Sequence, residues 1–306
     1  MKNLFRYILI FLILKEKIIL FKSCSRLKWK NDVYYCKTRL NQYAIKFYNN
    51  KNRNRNFDNE VKMYNILGTT NNFNIPNIIF QKKYKKFNIL ILDWIDGISL
   101  KEYINENGIK KSEKLIFNMI KCYQDIWDIN VNNIVKKEAI DETGKSMMFD
   151  RIGISMREAI NYLITKNKND EERYLKIFNI YNKLSTKSFN LNYLINSDIS
   201  LHEVIYEDNF NKCYLIDFEF FTLGDINNDL AGMFYSGVNS IIKNSNDVDR
   251  YYSLICSINH FNLIPFLYYL IERFVSVEYL CYDFVLDFER NFFFDFIIKL
   301  DGLIKE

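Results

Sequence analysis

Two aspartates constrain this chain more than any other feature. One sits in the run Ile195-Asn196-Ser197-Asp198-Ile199-Ser200-Leu201-His202-Glu203-Val204-Ile205, the other in Leu215-Ile216-Asp217-Phe218-Glu219. They stand 19 residues apart, with the charged, Asn-containing stretch Tyr206–Lys212 between them. The apolar runs Val204–Tyr206 and Cys213–Ile216 read as a short β-hairpin, which predicts that both carboxylates reach one cleft from its opposite ends. One carboxylate for an acceptor and one for a metal ion is what phosphoryl transfer needs.

The remainder of residues 196–231 adds Ile216-Asp217-Phe218-Glu219, Gly224-Asp225 and Asp229-Leu230-Ala231 in that order. In this order the segment resembles the catalytic loop and metal-binding strand of the aminoglycoside phosphotransferase and choline kinase families, which share the protein-kinase-like fold. The resemblance implies an α+β, bilobal architecture: a small antiparallel β-sheet lobe and a larger, mainly helical lobe. It implies ATP and Mg²⁺ as cofactors and transfer of the γ-phosphate to a hydroxyl of a small molecule. Two positions depart from the family pattern. Asn196 stands where the loop usually has a histidine that braces it, and Glu203 stands where an asparagine binds the second metal.

Composition is compatible with that reading. The 306 residues are 49% hydrophobic and 17% aromatic, enough for a large core and far from the make-up of a disordered chain. Only 9 Gly and 2 Pro occur beside abundant Asn, Lys, Ile, Phe and Tyr, a bias like that of an AT-rich genome. A net charge of +5 is too mild for a nucleic-acid binder of this size, so no nucleic-acid partner is expected. The 6 cysteines show no C-x-x-C pair and the chain has 2 histidines, which argues against zinc and for isolated thiols in a reducing cytoplasm.

At the N-terminus, the apolar run Tyr7–Leu14 is interrupted by Lys15-Glu16-Lys17 before Ile18–Phe21. A membrane-spanning helix needs about 20 mostly apolar residues, so the run is read as an element packed on the small lobe. A peripheral membrane contact through residues 4–21 is its alternative.

Val33–Cys36 and Tyr43–Tyr48 read as strands, residues 57–67 as a helix ending at Gly68, and Ile78–Phe80 and Asn88–Leu92 as two more strands. This β-β-α-β-β order is that of a kinase small lobe, expected over residues 1–93 with five strands. Asp93, Trp94 and Ile95 begin a link through residue 97 that resembles the hinge where backbone groups meet the adenine. Ser99-Leu100-Lys101-Glu102 has the form of a helix-capping box. Residues 98–306 are expected to be mainly helical, and Leu115, Ile116, Met119, Ile120, Tyr123, Ile126 and Trp127 mark one apolar helix face.

Roles follow the resemblance. Lys46 would hold the α- and β-phosphates and be oriented by Glu60, 14 residues on. Asp198 would accept or orient the acceptor's proton. Asp217 would be the principal Mg²⁺ ligand and Glu203 a second. His202 is read as structural or solvent-facing, Asp229 as a support of the catalytic loop, and Glu219 and Asp225 as open between substrate-facing and solvated. Where a Gly-rich phosphate loop should lie, Arg26–Val33 has no glycine, and Lys28, Lys30 and Asn31 are its polar candidates. Thr143-Gly144-Lys145-Ser146 is no P-loop, because Ala139 occupies the place of the first glycine.

The acceptor stays open among aminoglycoside-, choline- and sugar-like alcohols. Glu272, Glu278, Tyr279, Tyr282, Asp283, Asp287, Phe288 and Asp295 could hold a cationic one, or could simply form an amphipathic helix pair. Two alternatives to a cytoplasmic small-molecule kinase remain: a catalytically impaired kinase-fold binding protein, and a membrane-associated glycan or lipid-headgroup kinase.

Overall fold

Along the chain run α1 (Lys2–Leu14), β1 (Ile18–Ser23), β2 (Asp32–Thr38), β3 (Gln42–Asn49), α2 (Asn54–Gly68), β4 (Ile78–Lys83), β5 (Phe87–Asp93), β6 (Ile98–Ser99) and α3 (Leu100–Trp127). They are followed by α4 (Met156–Lys166), α5 (Glu171–Ser185), β7 (Tyr193–Asn196), β8 (Val204–Glu207), β9 (Lys212–Leu215), β10 (Phe221–Gly224), α6 (Ile226–Ile241), α7 (Ser245–Cys256), α8 (Leu263–Cys281) and α9 (Asp287–Lys305). This computed structural model describes residues 2–24, 32–49, 54–69, 74–129, 149, 152–207, 212–241 and 245–305. The chain divides into two units, Met1–Ile98 with Ile205–Phe220, and Ser99–Val204 with Phe221–Glu306. The first unit thus takes back residues 205–220 from the stretch 98–306 that the sequence assigned to one lobe.

In the first unit, β1 to β5 form a five-stranded antiparallel sheet in the order β1-β2-β3-β5-β4. The fifth strand is the apolar run Ile18–Phe21, which the sequence left inside the N-terminal element. Strand alternation gives β3 two distinct faces. Tyr43, Ile45 and Phe47 join Tyr34, Cys36, Ile89 and Ile91 in a core that also contains Ile10 of α1 and Ile18. Lys46 and Tyr48 point the other way and meet Glu60 of α2. α1 therefore covers one sheet face and α2 the other.

α1 is apolar on nearly every side, and the charge of its Arg6 is buried and paired. The Arg6 guanidinium pairs with Asp32, donates to the Tyr34 hydroxyl and lies 4.7 Å from the Phe47 ring centre. The helix stops at Lys15, whose φ of 55° turns the chain into β1. Gly97 comes so close to the 205–220 segment that a Cβ on it would lie 2.2 Å from the Tyr206 carbonyl oxygen. Only glycine fits there.

The second unit is built on helix faces. Ser99 caps α3 with the expected reciprocal box to Glu102. Leu115, Ile116, Met119, Ile120, Tyr123, Ile126 and Trp127 are all buried, as their spacing predicts. The two-stranded sheet β7-β10 carries the chain into the loop that follows β7. Lys28, Lys30 and Asn31, and the decoy Thr143–Ser146, lie outside the described residues.

The docking of α1 has a stability signature. Ile10 is fully buried, whereas Leu4 is 63% exposed. Ile10→Ala should cost about 2–5 kcal/mol, and Leu4→Ala should stay within about 0.5 kcal/mol of the parent. Urea unfolding compares them, and equal midpoints would show that α1 does not belong to the folded core.

Candidate active site

The first unit buries a cation among acids. Lys46 is nearly sealed from solvent, and its Nζ lies 2.7 Å from Glu60 Oε1 and 2.9 Å from Asp217 Oδ1. The other Glu60 oxygen accepts from the Tyr48 hydroxyl. Glu60 is 0% exposed in the middle of the apolar stripe Phe57, Tyr64 and Leu67, a position no unpaired carboxylate could hold. Burial alone would drive the Lys46 proton off. Asp217 and Glu60 outweigh it and hold the ammonium well above the ordinary lysine range. Burial also raises Glu60, with the Lys46 charge pulling the other way.

Asp217 adopts a left-handed φ of 67°, a conformation aspartate tolerates better than most residues. Glu219 follows it into the same cluster, so that carboxylate oxygens of Glu60, Asp217 and Glu219 all lie within 4.8 Å of one another. Burial, and then Asp217, push Glu219 up to about 8, while Lys46 and an Asn56 amide bond oppose the rise. Three carboxyl groups around one ammonium gather hard oxygen atoms in one place. Hard oxygen donors of this kind suit Mg²⁺, so the residues fit a divalent cation with Asp217 and Glu219 as donors.

In the link after β5, Asp93 N donates to Asn77 O and Trp94 N to Gln42 O, both at 3.1 Å, so these N–H groups are spent inside the unit. A polar cavity of about 510 Å³ touches Asp93, Trp94 and Ile95 but is otherwise lined by the β2–β3 turn and Asn77, Glu207 and Tyr214. Lys46 does not line it.

The second unit holds Asp198 and Glu203. Asp198 follows β7 in a loop pinned from α6. Asp229 accepts from Asn196 N at 3.0 Å and from the Trp127 indole at 2.9 Å, and Leu201 N donates to Ser236 Oγ at 2.9 Å. Arg273 of α8 donates to Asp198 Oδ1 at 3.1 Å and to the Ser197 carbonyl at 2.7 Å. Glu203 ends the 3₁₀ turn Leu201–Glu203, half-buried, where its charge helps burial raise the Tyr123 hydroxyl. His202 is exposed. Asp225 is buried as a structural acceptor for Asn227 and Asn190.

Sequence reading missed Tyr48, Arg273, Gly232 and Ser236. One signal was present: Asp229, Gly232 and Ser236 are spaced to share a helix face. Another was Glu272-Arg273, adjacent charged residues inside a mainly apolar helix.

No family model and no curated protein matches the chain. Solved structures do. A spectinomycin phosphotransferase in complex with ADP and spectinomycin matches at TM-score 0.53 and 15% identity, covering 95% of this chain and 93% of that one. A thermostable mutant aminoglycoside phosphotransferase, complexed with AMP-PNP and hygromycin B, matches at TM-score 0.68 and 10% identity, covering 95% and 97%. A candidate fructosamine-3-kinase from Haemophilus somnus 129PT matches at 0.54 and 12%, covering 93% and 92%. The fold is that of the aminoglycoside phosphotransferases. At these identities the likeness establishes the expected small β-sheet lobe and larger helical lobe, and nothing about the acceptor.

Asp229 makes the second unit pH-sensitive. Burial raises its carboxyl from 3.8 to about 8, against the Trp127 and Asn196 hydrogen bonds and the Arg273 charge. A group with a raised folded pKa stabilises fully below its unfolded pKa, and that stability is lost as pH rises through the folded value. The Tm of the wild type minus that of Asp229→Asn should therefore fall between about pH 4 and 8, then level off. A flat difference would mean that the carboxyl is ionised throughout.

Proposed function

We propose that this chain is an ATP-dependent phosphotransferase that moves the γ-phosphate to a hydroxyl of a small molecule. The observation that carries the reading is the buried Lys46–Glu60–Asp217 cluster, on a fold shared with phosphotransferases solved with ADP or AMP-PNP. Lys46 supplies a fixed positive charge to the α- and β-phosphates, and Glu60 and Tyr48 keep it from swinging away. Asp217 and Glu219 would hold Mg²⁺, and Glu203 stands where the family pattern has its asparagine ligand. Bound there, Mg²⁺ neutralises charge on the phosphate oxygens. Asp93, Trp94 and Ile95 border the base. Asp198 meets the acceptor hydroxyl and orients it or takes its proton, since phosphoryl transfer asks more for positioning than for strong base catalysis.

The acceptor class is a polyol or amino-alcohol. Spectinomycin and hygromycin B in the neighbouring structures support an aminoglycoside-like or sugar-like alcohol, and choline-like acceptors belong to the same panel. The test is turnover over that panel with Mg-ATP, with thermal shift as the binding readout. Asp217→Ala should abolish turnover and weaken the Mg-ATP shift. Asp198→Ala should lower kcat by several orders of magnitude and leave the shift in place. Glu203→Asn should stay active with an altered Mg²⁺ dependence, and Glu203→Ala should lose far more. A wild type that binds Mg-ATP without turning over any acceptor would favour a catalytically impaired binding protein.

One observation favours a second reading, contact with a membrane surface. Leu4, Phe5, Ile8, Phe11 and Leu12 follow helical spacing along the outer face of α1 and are 45–63% exposed. Lys15, Lys17 and Lys22 are exposed beyond its end. Five side chains on a three-turn helix fall short of the roughly 20–30 residues a side of a stable dimer. An apolar stripe with a basic flank suits an anionic bilayer surface. Among the described residues no helix is long and apolar enough to cross a membrane. The protein should co-sediment with phosphatidylserine-containing vesicles and stay free of pure phosphatidylcholine. The triple variant L4S/I8S/F11S should lose that binding, and a wild type left in the supernatant would remove this reading.

A further inference from the structure

The loop that carries Asp198 is held by two helices of its own unit. From α6 come Asp229, on Asn196 N, and Ser236, on Leu201 N. From α8 comes Arg273, which reaches the loop between those two holds. On α6 the residue between Asp229 and Ser236 on the same face is Gly232. A Cβ there would lie 2.8 Å from Arg273 Nη2 and 3.0 Å from its Cζ. The missing side chain is the space the guanidinium occupies.

Arg273 is 7% exposed at its side chain, and among the described residues the carboxylate within ion-pair distance is Asp198, itself 39% exposed. A buried guanidinium is costly unless paired and hydrogen-bonded. This one uses Nη1 on the carboxylate and Nη2 on the carbonyl just before it, while its Nε is buried without a hydrogen-bond partner. Packing alone would be served better by an apolar side chain in this helix. The bond from Asp198 N to Asn196 Oδ1 is 3.4 Å long and weak, so the residue in the place of the usual histidine does little bracing. A charge-assisted pair is stronger and directional.

We propose that Arg273 is the positioning residue for Asp198. It fixes the backbone before the aspartate and the carboxylate together, so neither the loop nor the side-chain torsion can drift, and Gly232 keeps the space it needs. This rests on the reading of Asp198 as the residue that meets the acceptor hydroxyl.

The test compares Arg273→Lys, Arg273→Met and Gly232→Ala with the wild type, using Mg-ATP and an acceptor found in the panel. Each substitution is repeated on Asp198→Ala. Arg273→Met should lower kcat about 100-fold, the loss expected from a misplacement of about 1 Å, with KM for ATP within about twofold. Arg273→Lys should recover part of the loss, because it restores the charge without the fork. Gly232→Ala should behave like Arg273→Met, since the atom that must move is the guanidinium. On Asp198→Ala, Arg273→Met should change the residual rate by less than about twofold, as expected of residues acting as one unit.

Wild-type kcat in Arg273→Met would overturn the proposal, as would an equal loss with and without Asp198. If Arg273→Met does not fold, Arg273→Lys and Gly232→Ala decide on the same criteria. Asp198→Ala turning over at the wild-type rate overturns the reading of Asp198 instead. An inactive Asp198→Ala beside a fully active Arg273→Met overturns Arg273 alone.

Discussion

A single buried ammonium organises the sheet unit. Taking Lys46 out of water costs several kcal/mol unless opposite charge and hydrogen bonds replace the lost solvent. Glu60 and Asp217 do so at 2.7 and 2.9 Å, and each must then be kept where it is. Glu60 is fixed by its place in the α2 stripe and by Tyr48, which shares the β3 face with Lys46. Asp217 is fixed by a left-handed backbone. The sheet needs its other face covered to hold β3 in register, and α1 does that with Ile10 and the Arg6 guanidinium over Phe47. The apolar N-terminal run, read from the sequence as an element packed on the small lobe, is thus also part of the support for a polar cluster.

The helical unit solves a similar problem with another device. Asp198 is on a loop, and loops hold a geometry only when something rigid grips them. One face of α6 does this with an acid, a gap and a hydroxyl, at Asp229, Gly232 and Ser236. The sequence Asp-Leu-Ala-Gly is therefore a physical statement. Aspartate caps the loop's backbone, Leu230 and Ala231 pack in the core, and glycine admits an arginine.

How much of this could be read from the chain follows the range of the interactions. Local signals were reliable: the Ser99 capping box, the apolar face from Leu115 to Trp127, and the strand pair around Lys46 all appear as periodicity or spacing within a few residues. The pairing of Lys46 with Glu60 was legible because a 14-residue strand-to-helix step is short and the order of elements was recognisable. β1 was missed because the helix and the strand of the N-terminal run are both apolar and only three charged residues separate them. Arg273 was missed for a different reason. It lies 75 residues from Asp198, on a helix whose hydrophobicity says only that it is buried. Nothing local distinguishes an arginine that braces a loop from one that snorkels to the surface. Likewise, Glu219 read as open between substrate and solvent because its environment is made by Asp217 and Glu60, the latter from a distant helix.

The departures from the family pattern then acquire a physical meaning. If the histidine of the loop serves elsewhere as a brace, its replacement by Asn196 need not loosen the loop. The bracing can pass to a residue that reaches the same backbone from outside, and Arg273 donates to the carbonyl of the very next residue. An arginine does this with a permanent charge and two donors on one rigid plane, whereas a neutral imidazole offers one donor. The substitution of Glu203 for asparagine has the same logic in charge. The second unit sets the cation of Arg273 against Asp198 and Asp229, and burial keeps Asp229 protonated up to about pH 8. Glu203 brings a carboxyl group to the position where the family pattern has an amide. In the proposed role, a metal ion held through Glu203 would meet a charged oxygen donor in place of an amide.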